Sequence, residues 1–232
     1  MTQIKGLLDL FFPEYCIHCN KKIRTVGKLP LCMSCEIQLD SAWRDGVKNV
    51  LLLNRFKGIM PLHYGFSMLY FTNNGVSQTL IHEAKYHGQT HIFSYYGKIL
   101  GYKMKQEIHL FEDKPEIVIP VPNNWIKRLK LSYNQAAVFA VEIAKTLDVP
   151  MKENILRKAR DRSSQTKRSK VERLHELQKM YSLTGNARQV QGRHVLLVDD
   201  VITSGATIEI CCQLLLQAGV AKISVCSFML VK

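Results

Sequence analysis

The sequence predicts an α/β fold, in which helices flank a parallel, Rossmann-like sheet and a small cysteine-rich head precedes it. A strand–loop–helix order occurs twice, over residues 117–147 and 195–217, and an apolar run at 222–231 adds a last strand. These runs lack the alternation of a strand with one wet face, and they are typical of strands buried on both faces. Two Cys-x-x-Cys pairs near the N-terminus indicate a separate metal-binding element.

Length and charge narrow the class of protein. A chain of 232 residues, of which 47% are hydrophobic, can bury one full core and carry a small appendage. No apolar run is long enough to span a membrane and no secretion signal is visible, so we expect a cytoplasmic protein without membrane insertion. Cysteines stay reduced in that compartment, which argues against a disulfide framework. The excess of 32 Lys and Arg over 19 Asp and Glu, a net charge of +13, favours phosphorylated or polyanionic partners.

The head is predicted from its cysteines. Residues 3–12 are expected to form a short helix that ends at Pro13. Two pairs then follow with twelve residues between them, and together they offer the four thiolates that structural zinc prefers: Cys16, Cys19, Cys32 and Cys35. The polar segment between the pairs is too short to own a core, so a metal would have to organise it. Redox-active dithiols and a site that has lost its metal are the alternatives.

A domain boundary is predicted after the head. Residues 36–60 are expected to form a helix and then an irregular linker, so the head spans 1–45 and the larger domain 60–232. In that domain the pattern predicts a strand at 62–71, helices at 75–86 and 91–108, a strand at 117–122, a helix ending at Leu147 and a strand at 181–183. The histidines at 82, 87 and 91 are expected on the surface, because Gly88 breaks the spacing that a metal site on one helix needs.

The second repeat carries the candidate site. Val195–Val198 form its strand, and Asp199 and Asp200 follow where that strand is expected to end. Ligands of open α/β sheets bind at the carboxyl ends of strands, and helix N-termini bind phosphates. We therefore expect the aspartates to face sugar hydroxyls or a metal, and the turn before the helix 208–217 to bind a phosphate through Thr203, Ser204, Gly205, Ala206 and Thr207. A side chain at position 205 is expected to enter the phosphate's position.

Residues 156–173 are the most charged stretch, with eight Lys and Arg against only two acidic residues. A solvated helix face is the usual role of such a run. Unpaired charge of one sign at this density also repels itself, which favours an anionic partner. Both interpretations stay open from the residues alone.

Several motifs together resemble a known family. Residues 195–207 resemble the phosphoribosyl pyrophosphate motif of type I phosphoribosyltransferases, with four apolar residues, two acids and Thr-x-Gly-x-Thr. With the cysteine pairs, the chain resembles the ComF family of competence-associated proteins, including the ComFC and GntX types, in the order of its motifs: Lys85-Tyr86-His87-Gly88, Ile119–Pro122, Tyr133-Asn134-Gln135 and Gln165–Arg173. It departs from the family at Leu131-Ser132, where Arg-Gly is usual, and at Glu176, where Asn is common.

The resemblance implies a type I phosphoribosyltransferase fold with a zinc-ribbon head, and a role in handling single-stranded DNA during natural transformation. It implies structural zinc, and Mg²⁺ bound with phosphoribosyl pyrophosphate. The catalytic aspartates would be Asp199 and Asp200, and the departing pyrophosphate would be stabilised by Pro120, Val121, Pro122, Arg160 and Lys167. A competence helicase is an expected partner. The reaction would be phosphoribosyl transfer, a pentosyl (glycosyltransferase) reaction, although the family as a class has no assigned acceptor. The alternative is a non-catalytic adaptor for nucleic acid and protein with a regulatory or vestigial pocket.

Overall fold

Parallel strands form the centre of the computed structural model, which describes residues 14–23, 29–45, 49–107, 113–123, 133–159 and 177–232. The strands are β1 (Glu14–Tyr15), β2 (Lys22–Ile23), β3 (Gly65–Phe71), β4 (Ile117–Pro120), β5 (Leu156–Lys158), β6 (Tyr181–Leu183), β7 (His194–Ile202) and β8 (Lys222–Val231). Four of them make the central parallel sheet in the order β3-β8-β7-β4, whereas β1–β2 and β5–β6 are antiparallel pairs. The predicted helix at 3–12 and most of the basic stretch, residues 160–173, lie outside the described residues.

Helices cover both faces of the sheet. They are α1 (Met33–Glu36), α2 (Val50–Phe56), α3 (Val76–Tyr86), α4 (His91–Glu107), α5 (Gln135–Leu147) and α6 (Ala206–Gln217). Because strand side chains alternate, β7 sends Leu196 and Val198 into a core with α3, α4 and α5, and Val195 and Leu197 into a core with α6 and α2. The prediction of strands buried on both faces is confirmed. Over the described residues, no helix has the length and apolarity needed to cross a membrane.

The end of β7 differs from the sequence-based prediction. We expected the strand to stop before Asp199, but it continues through Ile202. The physical reason is the partner strand β8, because its Ser227 pairs with Asp199 and its Met229 pairs with Val201. On the other side, β4 ends at Pro120 opposite Val198. The carboxyl edge is therefore stepped, and both aspartates extend past the end of β4.

The segment predicted to be a linker is ordered against the sheet. It holds a 3-10 helix at Ala42–Asp45 and then α2. The side chain of Asn49 accepts a hydrogen bond from the Leu52 N–H and donates one to the Ala42 carbonyl, which caps α2 and joins it to the 3-10 helix. Trp43 stacks on Phe66 of β3 with ring centroids 6.1 Å apart. This segment thus brings α2 to the carboxyl edge of the sheet.

Candidate ligand pocket and metal centre

A cavity of about 440 Å³ opens at the step between β4 and β7. Its lining combines lysines, amides, tyrosines and carboxylates with a few apolar groups: Lys85, Tyr86, Val121, Pro122, Asn123, Asn134, Gln135, Ala136, Lys158, Tyr181, Asp199, Asp200, Val201 and Thr207. The strand order makes this edge the one where ligands of open α/β sheets bind. A polar and partly aromatic cavity of this size suits a phosphorylated sugar.

The two aspartates form a coupled pair inside the cavity. The Asp200 N–H donates to Oδ1 of Asp199 at 2.8 Å, and the Lys85 ammonium donates to Oδ2 of Asp200 at 2.8 Å. Burial, together with the adjacent Asp200 charge, raises the pKa of Asp199 to about 7, although Lys85 and Lys158 oppose the rise. Asp199 is therefore only partly ionised near neutral pH. Carboxylates in this state can accept hydrogen bonds from sugar hydroxyls.

The turn at 203–207 forms a separate small depression next to the aspartates. Its cavity of about 40 Å³ is lined by Asp199 and residues 201–208. Gly205 precedes the first residue of α6 and has φ 89°, a conformation that glycine adopts most readily. Thr203 and Ser204 are exposed, so the N-terminal N–H groups of α6 face a solvent-accessible site. This arrangement has the features of an anion site.

Helix α2 supports this turn from behind, which the sequence did not indicate. The Arg55 guanidinium donates to the carbonyls of Thr203 and Val231, and the Phe56 ring lies against Gly205. A Cβ added at Gly205 would be 2.8 Å from Cζ of Phe56 and would therefore point toward the core. This direction differs from the prediction that a side chain at position 205 would enter the phosphate site. The hydrogen bonds of Arg55 join residues 148 and 176 positions apart, and no local pattern in 50–56 signals them.

The residues after β4 are held by the Tyr133-Asn134-Gln135 motif. The side chain of Asn134 donates to the Val121 carbonyl at 3.1 Å, and Asn123 donates to Oε1 of Gln135 at 2.7 Å. Val121 also donates its N–H to the Val198 carbonyl. Of the predicted pyrophosphate-side residues, Val121 and Pro122 line the cavity and Pro120 ends the strand beside it. Arg160 and Lys167 lie outside the described residues.

One wall of the cavity comes from an antiparallel pair of strands whose pairing the sequence does not predict. Strand β5 begins the charged stretch and pairs with β6. The Lys158 ammonium lies 4.8 Å from the centroid of the Tyr181 ring, and burial raises the pKa of Tyr181. In the sequence Lys158 belongs only to the basic run. Its pairing with Tyr181 across β5 and β6 is a tertiary feature.

The four cysteines of the head come together as one cluster. Their sulfurs all lie within 4.8 Å of one another, and those of Cys19 and Cys32 are 3.6 Å apart. A tetrahedral zinc with bonds of about 2.3 Å would separate its sulfurs by about 3.8 Å, so the cluster could hold zinc. Burial alone would raise the pKa of Cys16, but backbone N–H groups of Cys19, Cys32 and His18 outweigh burial and lower it to about 6. A thiolate is the form that binds metal.

The head contacts the sheet domain through a residue that the cysteine pattern left without a role. Nδ1 of His18 is 2.9 Å from Oγ1 of Thr79 on α3. Cys16 and Cys35 are buried in the same hydrophobic cluster as Phe66 of β3. The cysteine cluster and the sheet therefore share a packed interior.

Three histidines predicted to lie on the surface are exposed, namely His82, His87 and His91. The ligand atoms of His82, Glu83 and His87 nevertheless lie within 4.8 Å of one another. The other three cysteines, Cys211, Cys212 and Cys226, are buried in the core.

Comparisons with known proteins agree with these features. Residues 134–231 match a family model described as the phosphoribosyl transferase domain. The chain is 26% identical over 221 residues to Competence protein F of Haemophilus influenzae, covering 93% of this chain and 96% of that protein. It is 25% identical over 231 residues to Competence protein ComFC of Bacillus subtilis, covering 94% and 84%. DNA utilization protein YhgH of Escherichia coli K12 is 26% identical over 150 residues, which cover 63% of each chain.

Proposed function

We propose, on the premise that this chain is a homologue of competence proteins F and ComFC with a type I phosphoribosyltransferase fold, that its pocket binds phosphoribosyl pyrophosphate together with Mg²⁺. The observation that supports this most is the Asp199–Asp200 pair beside the N-terminal turn of α6. The aspartate pair offers acceptors for sugar hydroxyls, and the turn offers N–H donors for a phosphate. A ribose 5-phosphate unit has both groups a few ångströms apart.

In the proposed complex each part of the ligand meets a different part of the pocket. The 5-phosphate contacts residues 203–207, and the ribose hydroxyls contact Asp199 and Asp200. The pyrophosphate lies toward Val121 and Pro122, with Arg160 and Lys167 supplying positive charge. Mg²⁺ would neutralise part of the diphosphate charge. When the C1–O bond to pyrophosphate breaks, the aspartates would stabilise the positive charge that develops on the ribose ring.

Binding is tested by isothermal titration calorimetry of phosphoribosyl pyrophosphate with and without Mg²⁺. Asp199→Asn and Asp200→Asn each keep the shape but remove a charge-assisted hydrogen bond, so each should weaken binding by roughly 1.5–3 kcal/mol. Because the pKa of Asp199 is raised to about 7, wild-type affinity should increase as pH rises through that value. Asp199→Asn should lose this component of the pH dependence.

Asp148→Asn is the matched control, because Asp148 is exposed after the C-terminus of α5 in a left-handed conformation that Asn also adopts. We expect wild-type affinity for this variant. Absence of Mg²⁺-dependent binding by the wild type at millimolar ligand would refute the proposal.

Phosphoribosyl transfer is the catalytic form of this proposal. Release of pyrophosphate in the presence of bases, nucleotides or DNA would support it and would name the acceptor class. Binding without release supports the adaptor alternative with a regulatory pocket. In that case Leu131-Ser132 is the first segment to mutate. Replacing these two residues by Arg-Gly tests whether they limit turnover.

We also propose that the protein acts in DNA uptake and natural transformation by contacting single-stranded DNA in the cytoplasm, with a competence helicase as partner. The names of the relatives refer to competence and to DNA utilization. The net charge of +13 and the basic run at 157–173 provide a physical basis for contact with phosphates. Aromatic residues do not alternate with these cations, so backbone contact is the expected mode rather than base stacking.

This part is tested by the salt dependence of single-stranded DNA binding. Log K should fall with log salt by about 0.7 for each phosphate neutralised, and reversal of Arg160, Lys167 and Arg168 to Glu should flatten that slope. Reversal of the exposed Lys105, Lys114 and Arg188 to Glu changes the net charge equally and serves as control. Equal slopes for the wild type and both triple variants would show that the run is only a solvated face.

A further inference from the structure

We infer that Lys85 is a movable counter-ion in this pocket: it pairs with Asp200 before the ligand binds, and it moves to the pyrophosphate when phosphoribosyl pyrophosphate enters. The move would release Asp200 for the ribose hydroxyls. Lys85 would thereby favour ligands that carry a pyrophosphate over ribose phosphates that lack one. This inference rests on the proposed binding of phosphoribosyl pyrophosphate.

The contact between Lys85 and Asp200 is well defined. The ammonium nitrogen is 2.8 Å from Oδ2 of Asp200, and the two side chains are 25% and 18% exposed. Both residues line the cavity, although they come from different elements, the last turn of α3 and strand β7. An ion pair inside a cavity that is open to solvent can change partners without a large desolvation cost.

The backbone around Lys85 is held in position at the cavity. The hydroxyl of Tyr133 donates to the Ala84 carbonyl at 2.8 Å, which joins the last turn of α3 to the Tyr133-Asn134-Gln135 motif. The same motif holds the residues after β4, through Asn134 and the Val121 carbonyl. Lys85 is therefore anchored beside the proposed pyrophosphate region, while its four-carbon side chain lets the ammonium change direction with the backbone still.

Charge balance gives the direction of the exchange. Asp200 offers one negative charge, whereas a pyrophosphate group carries several, so an ammonium within reach of both is drawn to the pyrophosphate. While Lys85 stays on Asp200, it reduces the ability of that carboxylate to accept a hydroxyl and to stabilise positive charge on the ribose. Departure of the pyrophosphate would let the ammonium return to Asp200. The same side chain thus links the two halves of the ligand site.

A purely structural role of Lys85 predicts a different pattern. If the ion pair only fastened α3 to β7, its loss would disturb the whole pocket and would affect every ligand alike. Partner exchange predicts that loss of Lys85 weakens binding of the ligand with a pyrophosphate and does not weaken binding of the same sugar phosphate without one. The ratio of two affinities therefore separates the two roles.

The experiment titrates wild type, Lys85→Met and Lys85→Arg with phosphoribosyl pyrophosphate plus Mg²⁺ and, separately, with ribose 5-phosphate. Lys85→Met should bind phosphoribosyl pyrophosphate about 10- to 100-fold more weakly, because a charge-assisted contact is lost. It should bind ribose 5-phosphate as tightly as the wild type or more tightly, because Asp200 is free. Lys85→Arg keeps the charge and should retain most of the preference for the pyrophosphate ligand.

Lys98→Met is the matched control, since Lys98 lies on α4, forms a surface ion pair with Glu142 and does not line the cavity. It should leave both affinities unchanged. Equal losses for both ligands in Lys85→Met, or no loss for either, would overturn the inference while leaving the proposed function intact. If Lys85→Met does not fold, the ligand ratio of Lys85→Arg decides, because loss of the preference for the pyrophosphate ligand in a variant that keeps the charge contradicts partner exchange. Failure of the wild type to bind phosphoribosyl pyrophosphate would overturn the proposed function and this inference together.

Discussion

Cys32→Ser is expected to remove about one zinc ion per chain and to unfold the segment around the cysteine cluster. The sulfurs of four cysteines lie within 4.8 Å of one another and would be joined by the metal across a short segment with many polar residues. Apparent binding free energies of about 10–16 kcal/mol are usual for structural zinc in small domains, so loss of one ligand should remove a large part of the stability of the head. Metal analysis by mass spectrometry and hydrogen exchange over 14–45 measure the two effects.

The substitution should also lower the melting temperature of the protein as a whole. Cys16 and Cys35 belong to the same buried cluster as Phe66, and Trp43 stacks on that ring, so loosening the head exposes part of the core over β3. Ser34→Ala is the control, because Ser34 is exposed on the same short helix and is no metal ligand. Metal-free wild-type protein with a protected head would contradict the zinc prediction.

Gly205→Val is expected to reduce both stability and ligand affinity. At φ 89° an L-residue costs about 1–2 kcal/mol. The new Cβ would also lie 2.8 Å from the ring of Phe56, which is only 2% exposed, and overpacking of this kind costs about 1–3 kcal/mol. Together the two effects should lower the free energy of unfolding by about 3 kcal/mol or more, measured by urea denaturation. Displacement of the turn should also weaken Mg²⁺-dependent binding of phosphoribosyl pyrophosphate, measured by calorimetry.

Gly58→Val separates the two causes. Gly58 also has a positive φ, of 78°, but a Cβ there meets nothing within 4 Å. We expect this variant to lose only the conformational part and to keep its ligand affinity. The double variant Gly205→Ala/Phe56→Leu replaces the ring by a smaller side chain. It should recover part of the stability that Gly205→Ala loses. If Gly205→Val and Gly58→Val are equally stable, the contact with Phe56 does not restrict position 205.

The features that sequence predicted well are local. The central strands and the flanking helices followed from apolar runs and periodicity, and their observed bounds lie within a few residues of the predicted ones at β8, α3 and α5. The motif at 195–207 and the two cysteine pairs are also short, contiguous patterns. The resemblance to competence proteins agrees with the comparisons, since relatives with that name align with 93% and 94% of this chain.

The chain by itself therefore determined the α/β class, the identity of the strands, the clustering of cysteines and the segment that holds the aspartates, because hydrophobic period and ligand spacing are properties of neighbouring residues. Only the tertiary structure decided that β7 runs on through Ile202, since a strand ends where its partner stops. The same holds for the contact of α2 with the turn at 203–205 and for the pairing of Lys85 with Asp200. Each of these joins elements far apart in sequence, and their meeting depends on how the helices pack on the sheet.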